Sequence, residues 1–256
     1  MTQPFDLSDR TLLITGASAG LGLQFARSAA AAGARLALAA RRTDRLAELA
    51  TRIVADGGRA IAVSMDVQDE DSVIAGYDQA QAALGPIDSV IANAGVNAEG
   101  LAADLPVETF DRLMAVNVRG AFLTAREGAR RMMAAFPREE QRGRIVLIAS
   151  IGAQKVLPGV AVYCASKAAV LMLGRSLARE WANRGVNVNV VCPGYIETEI
   201  NAAWFAGEGG RKQVAGFPRR RLMTEADLDP VTLYLVSQAS RAVTGSVFTL
   251  DDGQSL

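Results

Sequence analysis

Thr11-Leu-Leu-Ile-Thr-Gly-Ala-Ser-Ala-Gly-Leu-Gly22 passes from a short apolar run into a glycine-rich turn, and a helix-like stretch follows over residues 23–32. Strand, glycine turn and helix in that order make closely spaced glycines informative. They let the backbone bend sharply and approach a pyrophosphate, which rests on the free N–H groups and positive dipole end of the helix. The spacing here is Gly16-x-x-x-Gly20-x-Gly22, not the commoner Gly-x-Gly-x-x-Gly. Ser18 then reads as a phosphate or turn ligand. The same residues also fit Gly-x-Ser-x-Gly, the nucleophile elbow of hydrolases. That chemistry needs a histidine base, and the chain contains no histidine. The absence also removes a Ser-His-Asp triad, a Cys-His dyad and any histidine-held metal. Acid–base work falls to Tyr, Lys, Cys or carboxylates.

The alternation continues outward from this unit. Residues 35–40, 59–64, 87–92, 145–149, 185–192 and 246–250 read as further strands. Residues 43–55, 69–84, 107–136, a stretch around Tyr163 reaching about 184, and 225–237 read as helices. The strands are nearly unbroken apolar runs, as parallel strands covered on both faces are. Gly85-Pro86, Pro158-Gly159 and Pro193-Gly194 punctuate the elements. No repeat, low-complexity run or linker interrupts them. The expectation is one α/β domain over 1–256: a doubly wound parallel sheet of about seven strands with helices on both faces.

Ligands of doubly wound folds bind at the carboxyl ends of the strands, so those ends are read next. The second strand ends in Ala40-Arg41-Arg42, where an acid often holds the adenosine ribose. An acid repels a 2′-phosphate and arginine binds it, one charge-assisted hydrogen bond contributing about 1.5–3 kcal/mol. The expected cofactor is therefore NADP rather than NAD. Asp66, before Val67, has two roles open to it: accepting from an adenine amino group, or capping the helix that starts near Asp69. Asn93-Ala94-Gly95 offers small residues where a cofactor comes close. Asn117, inside the helix over 107–136, either joins helices or bonds backbone or water near the pair described below.

The totals bound the alternatives. Half of the 256 residues are hydrophobic, enough for a sizeable core. The 27 basic and 27 acidic residues balance, so neither a nucleic-acid stripe nor an acidic tail is indicated. Two cysteines, Cys164 and Cys192, make no disulfide framework. The start carries no signal-peptide pattern and no apolar run is long enough to span a membrane, so a cytoplasmic protein is expected.

Ser150 closes the run Ile145-Val-Leu-Ile-Ala149, and Tyr163 and Lys167 follow four apart on one helical face. An ammonium about 5 Å from a phenol, at an effective dielectric near 20, favours phenolate by about 3 kcal/mol, roughly two pKa units. That brings tyrosine into range for general acid–base work, with Ser150 holding the oxygen that receives the proton. Cys164, one residue on, is expected to face another side of the helix. Residues 195–218 are loop-rich, with Gly207, Gly209, Gly210 and Gly216 among Trp204, Phe205 and Phe217. They suit a lid over an apolar substrate or, equally, a subunit contact. Arg219–Arg221 read as solvated surface or, alternatively, as a group that meets an acid. Arg119, Arg126, Arg130 and Arg131 read as a helix face, a subunit contact, or a basic entrance for a carrier-borne thioester.

Together these residues resemble the short-chain dehydrogenase/reductase family in its compact single-domain form, over nearly the whole chain. The resemblance is carried by Thr15-Gly-Ala-Ser-Ala-Gly-Leu-Gly22, Asp66, Asn93-Ala-Gly95, Asn117-Val-Arg-Gly120, Ser150, Tyr163-x-x-x-Lys167 and Pro193-Gly194, in family order. Ser150 stands 13 residues before Tyr163, as in the family pattern. Two departures, Ala19 and Ala92 where many relatives have Ser and Asn, remove no catalytic atom. The resemblance implies a seven-stranded sheet, a homotetramer, a small carbonyl or alcohol substrate, and NADPH as cofactor. It implies Tyr163 as acid/base, Lys167 lowering its pKa and bonding the nicotinamide ribose, Ser150 holding the substrate oxygen and Asn117 supporting a proton relay. Gly16, Ser18, Leu21, Gly22, Arg41, Arg42, Asp66, Val67, Asn93, Ala94, Gly95, Tyr163, Lys167, Pro193, Gly194, Ile196 and Thr198 would line the cofactor. Other functions compatible with the chain are a 3-oxoacyl thioester reductase and a non-catalytic dinucleotide sensor. A nucleotide-sugar epimerase normally needs a larger C-terminal domain than the 62 residues after Gly194.

Overall fold

Period-two alternation divides the first strand, Thr11–Thr15 (β1), between two cores: Leu12 and Ile14 face one layer of helices and Leu13 the other. The computed structural model describes residues 5–197 and 201–256. The strands that join β1 are Arg35–Ala40 (β2), Arg59–Ser64 (β3), Ser89–Ala92 (β4), Gly143–Ile148 (β5), Val186–Pro193 (β6) and Val247–Leu250 (β7). They form one sheet in the order β3-β2-β1-β4-β5-β6-β7, with every described pairing parallel. Seven strands and their parallel order match the expectation.

The helices are Gly20–Ala31 (α1), Thr43–Ala55 (α2), Glu70–Leu84 (α3), Val107–Met114 (α4), Gly120–Ala135 (α5), Ala161–Trp181 (α6), Ala202–Ala206 (α7), Glu208–Ala215 (α8) and Asp229–Val236 (α9). One face of the sheet is covered by Phe25 of α1, Leu46, Leu49 and Ile53 of α2, and Leu233 and Leu235 of α9. The other is covered by Val73 and Tyr77 of α3, Leu123 and Met132 of α5, and Val170 and Leu177 of α6. Parallel neighbours need a crossover of a dozen or more residues, and these helices supply it. No helix among the described residues is long and apolar enough to cross a membrane.

Three boundaries differ informatively from the sequence reading. α1 begins at Gly20 rather than near 23, so the last two glycines of the turn lie inside its first turn. The helix expected over 107–136 is interrupted by a π-helical segment, Ala115–Arg119, with Asn117 at its centre. Such bulges are frequent at functional sites because they re-aim one side chain. The segment expected to be loop-rich holds α7 and α8. Alanines there favour helix, and Gly210 serves close packing: a Cβ on it would collide with the Trp204 carbonyl oxygen.

Candidate active site

β1 continues to β2 on one side and is flanked by β4 on the other, so the chain reverses direction across the sheet at β1. A crevice opens outside the carboxyl ends at such a switch point. The turn after β1 and Asn93-Ala94-Gly95 after β4 are its two lips. Gly16 sits at φ +71°, and a Cβ there would lie 2.8 Å from Asn93 Nδ2. A Cβ on Gly22 would collide with the Gly16 carbonyl oxygen. The N-cap of α1 is Ala19, which offers no side-chain cap, and its first turn holds no acid, leaving its N–H groups for an anion. This donor set fits a dinucleotide pyrophosphate. Thr15, quoted above in the glycine motif but given no role, ties the lips together: its Oγ1 accepts from Asn93 N (3.1 Å) and Ala94 N (3.2 Å), and its carbonyl from Asn93 Nδ2 (3.0 Å). Its signal was a hydroxyl closing an otherwise apolar strand.

At the end of β2, Arg42 Nε and Nη2 donate to Ser18 Oγ at 3.2 and 3.0 Å. Ser18 is thus an acceptor in the turn, under a guanidinium. Arg41 is exposed beside it. Asp69, not Asp66, caps α3 by accepting from Asp71 N at 3.0 Å. Asp66 Oδ1 accepts from the Gln68 backbone N–H at 3.0 Å, and Val67 is buried against Gly120. Leu21 is half-buried. Pro193 ends β6, Gly194 follows, and Ile196 is buried and bridged to Met223. Thr198 lies outside the described residues.

Ser150, Tyr163, Lys167 and Asn117 come together beyond β5. Ser150, 8 % exposed, caps the short turn Ile151–Ala153, its Oγ accepting from Gly152 N at 3.0 Å. Its hydroxyl is close enough to Tyr163 to act on that phenol. The Lys167 ammonium is buried, donates to the Ile148 carbonyl oxygen at 3.0 Å, and lies 5.7 Å from the Tyr163 ring centroid. A Cβ on Gly95 would lie 3.3 Å from Lys167 Nζ and 3.4 Å from Asn117 Oδ1, so β4's lip reaches this group. Asn117 Oδ1 accepts from Val96 N (2.8 Å), and its Nδ2 donates to Val96 O and Ser166 Oγ (both 2.9 Å). Ser166 in turn donates to the Tyr163 carbonyl oxygen at 2.7 Å. Ser166 went unread in the sequence, although a serine inside an otherwise apolar helix face was a signal.

Burial acts against one electrostatic expectation. Tyr163 is not drawn below the ordinary tyrosine range: burial pushes its phenol up, and the Ser150 hydroxyl pulls it back only in part. Burial also pushes the Lys167 ammonium down to about 8. The surroundings of Cys164 are set by the fold. A Cβ on Gly152 would lie 3.3 Å from Cys164 Sγ and 3.4 Å from Ser150 Oγ, so the thiol faces the Ser150 turn. Arg219 and Arg221 lie on the exposed surface, as read from the sequence, and both pair with Asp252, at 3.2 and 2.7 Å. Arg126 pairs with Glu70, Arg130 with Glu127, and Arg131 with Glu127 and Asp78, while Arg119 is exposed.

Tyr195 stacks on Phe217 (centroids 5.5 Å apart, 23° between planes) and meets Phe205 edge-on at 6.0 Å. It lies within electrostatic reach of Tyr163 and Cys164. Trp204 Nε1 donates to Gln213 Oε1 at 3.1 Å. An aromatic group thus stands beside the polar one.

The sequence pattern of the short chain dehydrogenase family matches residues 10–209. The inactive 2-(S)-hydroxypropyl-CoM dehydrogenase 2 of Xanthobacter autotrophicus is 35% identical over 236 residues, 90% of this chain and 99% of that protein. Gluconate 5-dehydrogenase of Gluconobacter oxydans is 34% identical over 250 residues, 97% of this chain and 96% of that protein. Among solved structures, a gluconate 5-dehydrogenase from Burkholderia cenocepacia, in complex with NADP and tartrate, superposes with a TM-score of 0.92 at 33% identity. The superposition covers 98% of this chain and 96% of that one.

Proposed function

This chain belongs to the short chain dehydrogenase family, and we propose that it is an NADP(H)-dependent oxidoreductase interconverting a ketone or aldehyde with its alcohol. The observation that carries the reading is the meeting of Ser150, Tyr163 and Lys167 beyond β5, beside an anion-ready glycine turn. In that reading the glycine turn, Ser18, Leu21 and Asn93-Ala94-Gly95 hold the dinucleotide, with Asp66 and Val67 toward the adenine. Pro193, Gly194 and Ile196 close the far side. Arg41 and Arg42 take the 2′-phosphate, and the Arg42 guanidinium already over Ser18 supports this. The presence of NADP in the Burkholderia gluconate 5-dehydrogenase agrees with it. When bound, the nicotinamide supplies or accepts the hydride.

Ser150 orients the substrate oxygen. Tyr163 gives that oxygen its proton in carbonyl reduction and takes it back in alcohol oxidation. A phenol pushed up by burial holds its proton at neutral pH, which suits the acid role. Lys167, protonated at neutral pH with a value of about 8, fixes the ribose side and favours proton release from Tyr163. Asn117, through Ser166, sets the backbone of the helix that carries Tyr163. Residues 195–218 serve as the substrate lid, and their aromatic group favours a substrate with an apolar arm. A homotetramer belongs to the same reading: Val107, Phe110 and Met172 leave apolar surface exposed for a subunit contact.

The test is NADPH oxidation against ketones, aldehydes, diketones and 3-oxoacyl thioesters, followed by Tyr163→Phe on the best substrate. Turnover should be lost while NADPH binding, read by fluorescence, is retained. Undiminished turnover in the phenylalanine variant would refute the mechanism.

A further inference from the structure

We propose that Gln254, two residues from the last residue of this sequence, is a positioning residue that sets the place of the Tyr195 wall at the substrate site. The inference rests on reading that site as a carbonyl reductase's. Gln254 is 4 % exposed, unusual for a glutamine. Its side-chain amide is spent on the base of one wall. Oε1 accepts from Tyr195 N at 2.6 Å, and Nε2 donates to Tyr195 O at 3.3 Å and to Arg221 O at 3.4 Å. The two residues it grips bracket the segment that carries Trp204, Phe205 and Phe217. Gly194 makes room for this amide, since a Cβ there would collide with Gln254 Oε1. The Gln254 carbonyl oxygen also accepts from Lys155 Nζ at 3.1 Å, tying the same turn to the segment after Ser150.

The turn that presents Gln254 is itself built. Asp251 Oδ1 accepts from Gly253 N at 3.0 Å and Oδ2 from Ser255 N at 2.8 Å. Asp252 is held at φ +55°, a conformation costly for a residue with a Cβ, and its carboxylate meets both Arg219 and Arg221. Five residues after β7 thus anchor both ends of the aromatic segment. None of these bonds is to Ser150, Tyr163 or Lys167. Gln254 therefore governs where the wall stands against the substrate arm, and not the proton chemistry.

Two variants separate this from a general loss of fold. Gln254→Met keeps the volume and removes all three side-chain bonds, while Gln254→Glu keeps the acceptor for Tyr195 N–H and removes the donor. Amide exchange followed by mass spectrometry should quicken in peptides covering 195–197 and 221–223 of the methionine variant, with protection elsewhere intact. Unchanged exchange there overturns the clamp. In turnover, KM for an aryl alkyl ketone should rise about five- to ten-fold in the methionine variant, the scale of one or two lost hydrogen bonds. The glutamate variant should recover part of that rise, and kcat, NADPH affinity and KM for a three-carbon ketone should move less than about two-fold. An equal change in all of these, or none in KM, overturns the positioning role. If the unmodified chain reduces no carbonyl at all, the reductase reading fails, and amide exchange alone decides the clamp.

Discussion

Lys167 shows how one residue's environment adds to a reading made from spacing. Four residues from Tyr163 on a helix, it was expected to act as a plain positive charge; enclosed by protein, its ammonium is pushed down to about 8. The sign of the consequence follows from proton counting. Between about 8 and the ordinary value of 10.5, the unfolded chain holds a proton on this lysine that the folded chain has released. Stability therefore rises with pH across that window, because the unfolded state binds more protons. The stability of the unmodified protein relative to Lys167→Met should climb between about pH 8 and about pH 10.5. Parallel melting curves across that range would refute it. Arg42 carries a second prediction at this scale. With its guanidinium over Ser18, Arg42→Ser combined with Arg41→Ser should cut the preference for NADPH over NADH by about ten-fold or more. The ratio of kcat/KM for the two cofactors reads it, and an unchanged ratio would dismiss the phosphate clamp.

Between elements, the decisive link runs from the π-helical segment to α6. Asn117 donates to Ser166 and Ser166 to the Tyr163 backbone, so two helices and the lip at Val96 are set against each other by three polar groups. In a regular α-helix through 107–136, successive side chains would turn by 100° each. The bulge re-aims Asn117 toward α6. Ser166→Ala removes the middle of the link at a cost of about 1 kcal/mol in stability. It should lower kcat about ten-fold, since small misplacements of reacting groups are expensive, and leave NADPH binding unchanged. Steady-state kinetics beside a thermal melt would check this, and an unaltered kcat would reduce the link to helix packing.

At the scale of the whole molecule, the two ends of the sheet do different work. The carboxyl ends hold the polar group and the glycine turn. The amino ends hold a buried ionic network: Asp88, 1 % exposed, meets Arg142 at 3.0 Å and Arg10 at 3.6 Å, while burial pushes the nearby Arg144 down to about 10. Removing one member of such a network leaves the others buried and uncompensated. Asp88→Ala should cost about 3–5 kcal/mol, which for a chain of this size lowers Tm by about 6–20 °C. Specific activity of the fraction still folded at room temperature should be unchanged, because the network lies a strand's length from Ser150. Loss of activity without loss of Tm would contradict that division of labour.

Much of this was legible in residue order. The apolar runs, the glycine spacing and the absence of histidine are local or compositional properties. From them the parallel sheet, the dinucleotide turn and the exclusion of hydrolase chemistry follow, because strand and helix periodicity and close backbone approach are decided within a few residues. What order could not carry is anything settled by contacts between distant segments. The direction of the Tyr163 and Lys167 shifts depends on how much protein surrounds them. The facing of Cys164 depends on where the Ser150 turn lies, and the service of Ser166 on a bulge in another helix. Gln254 is the plainest case: an unremarked glutamine near the end of the sequence acquires its partners only when β7 docks beside β6 and brings it to Tyr195, 59 residues earlier in the chain.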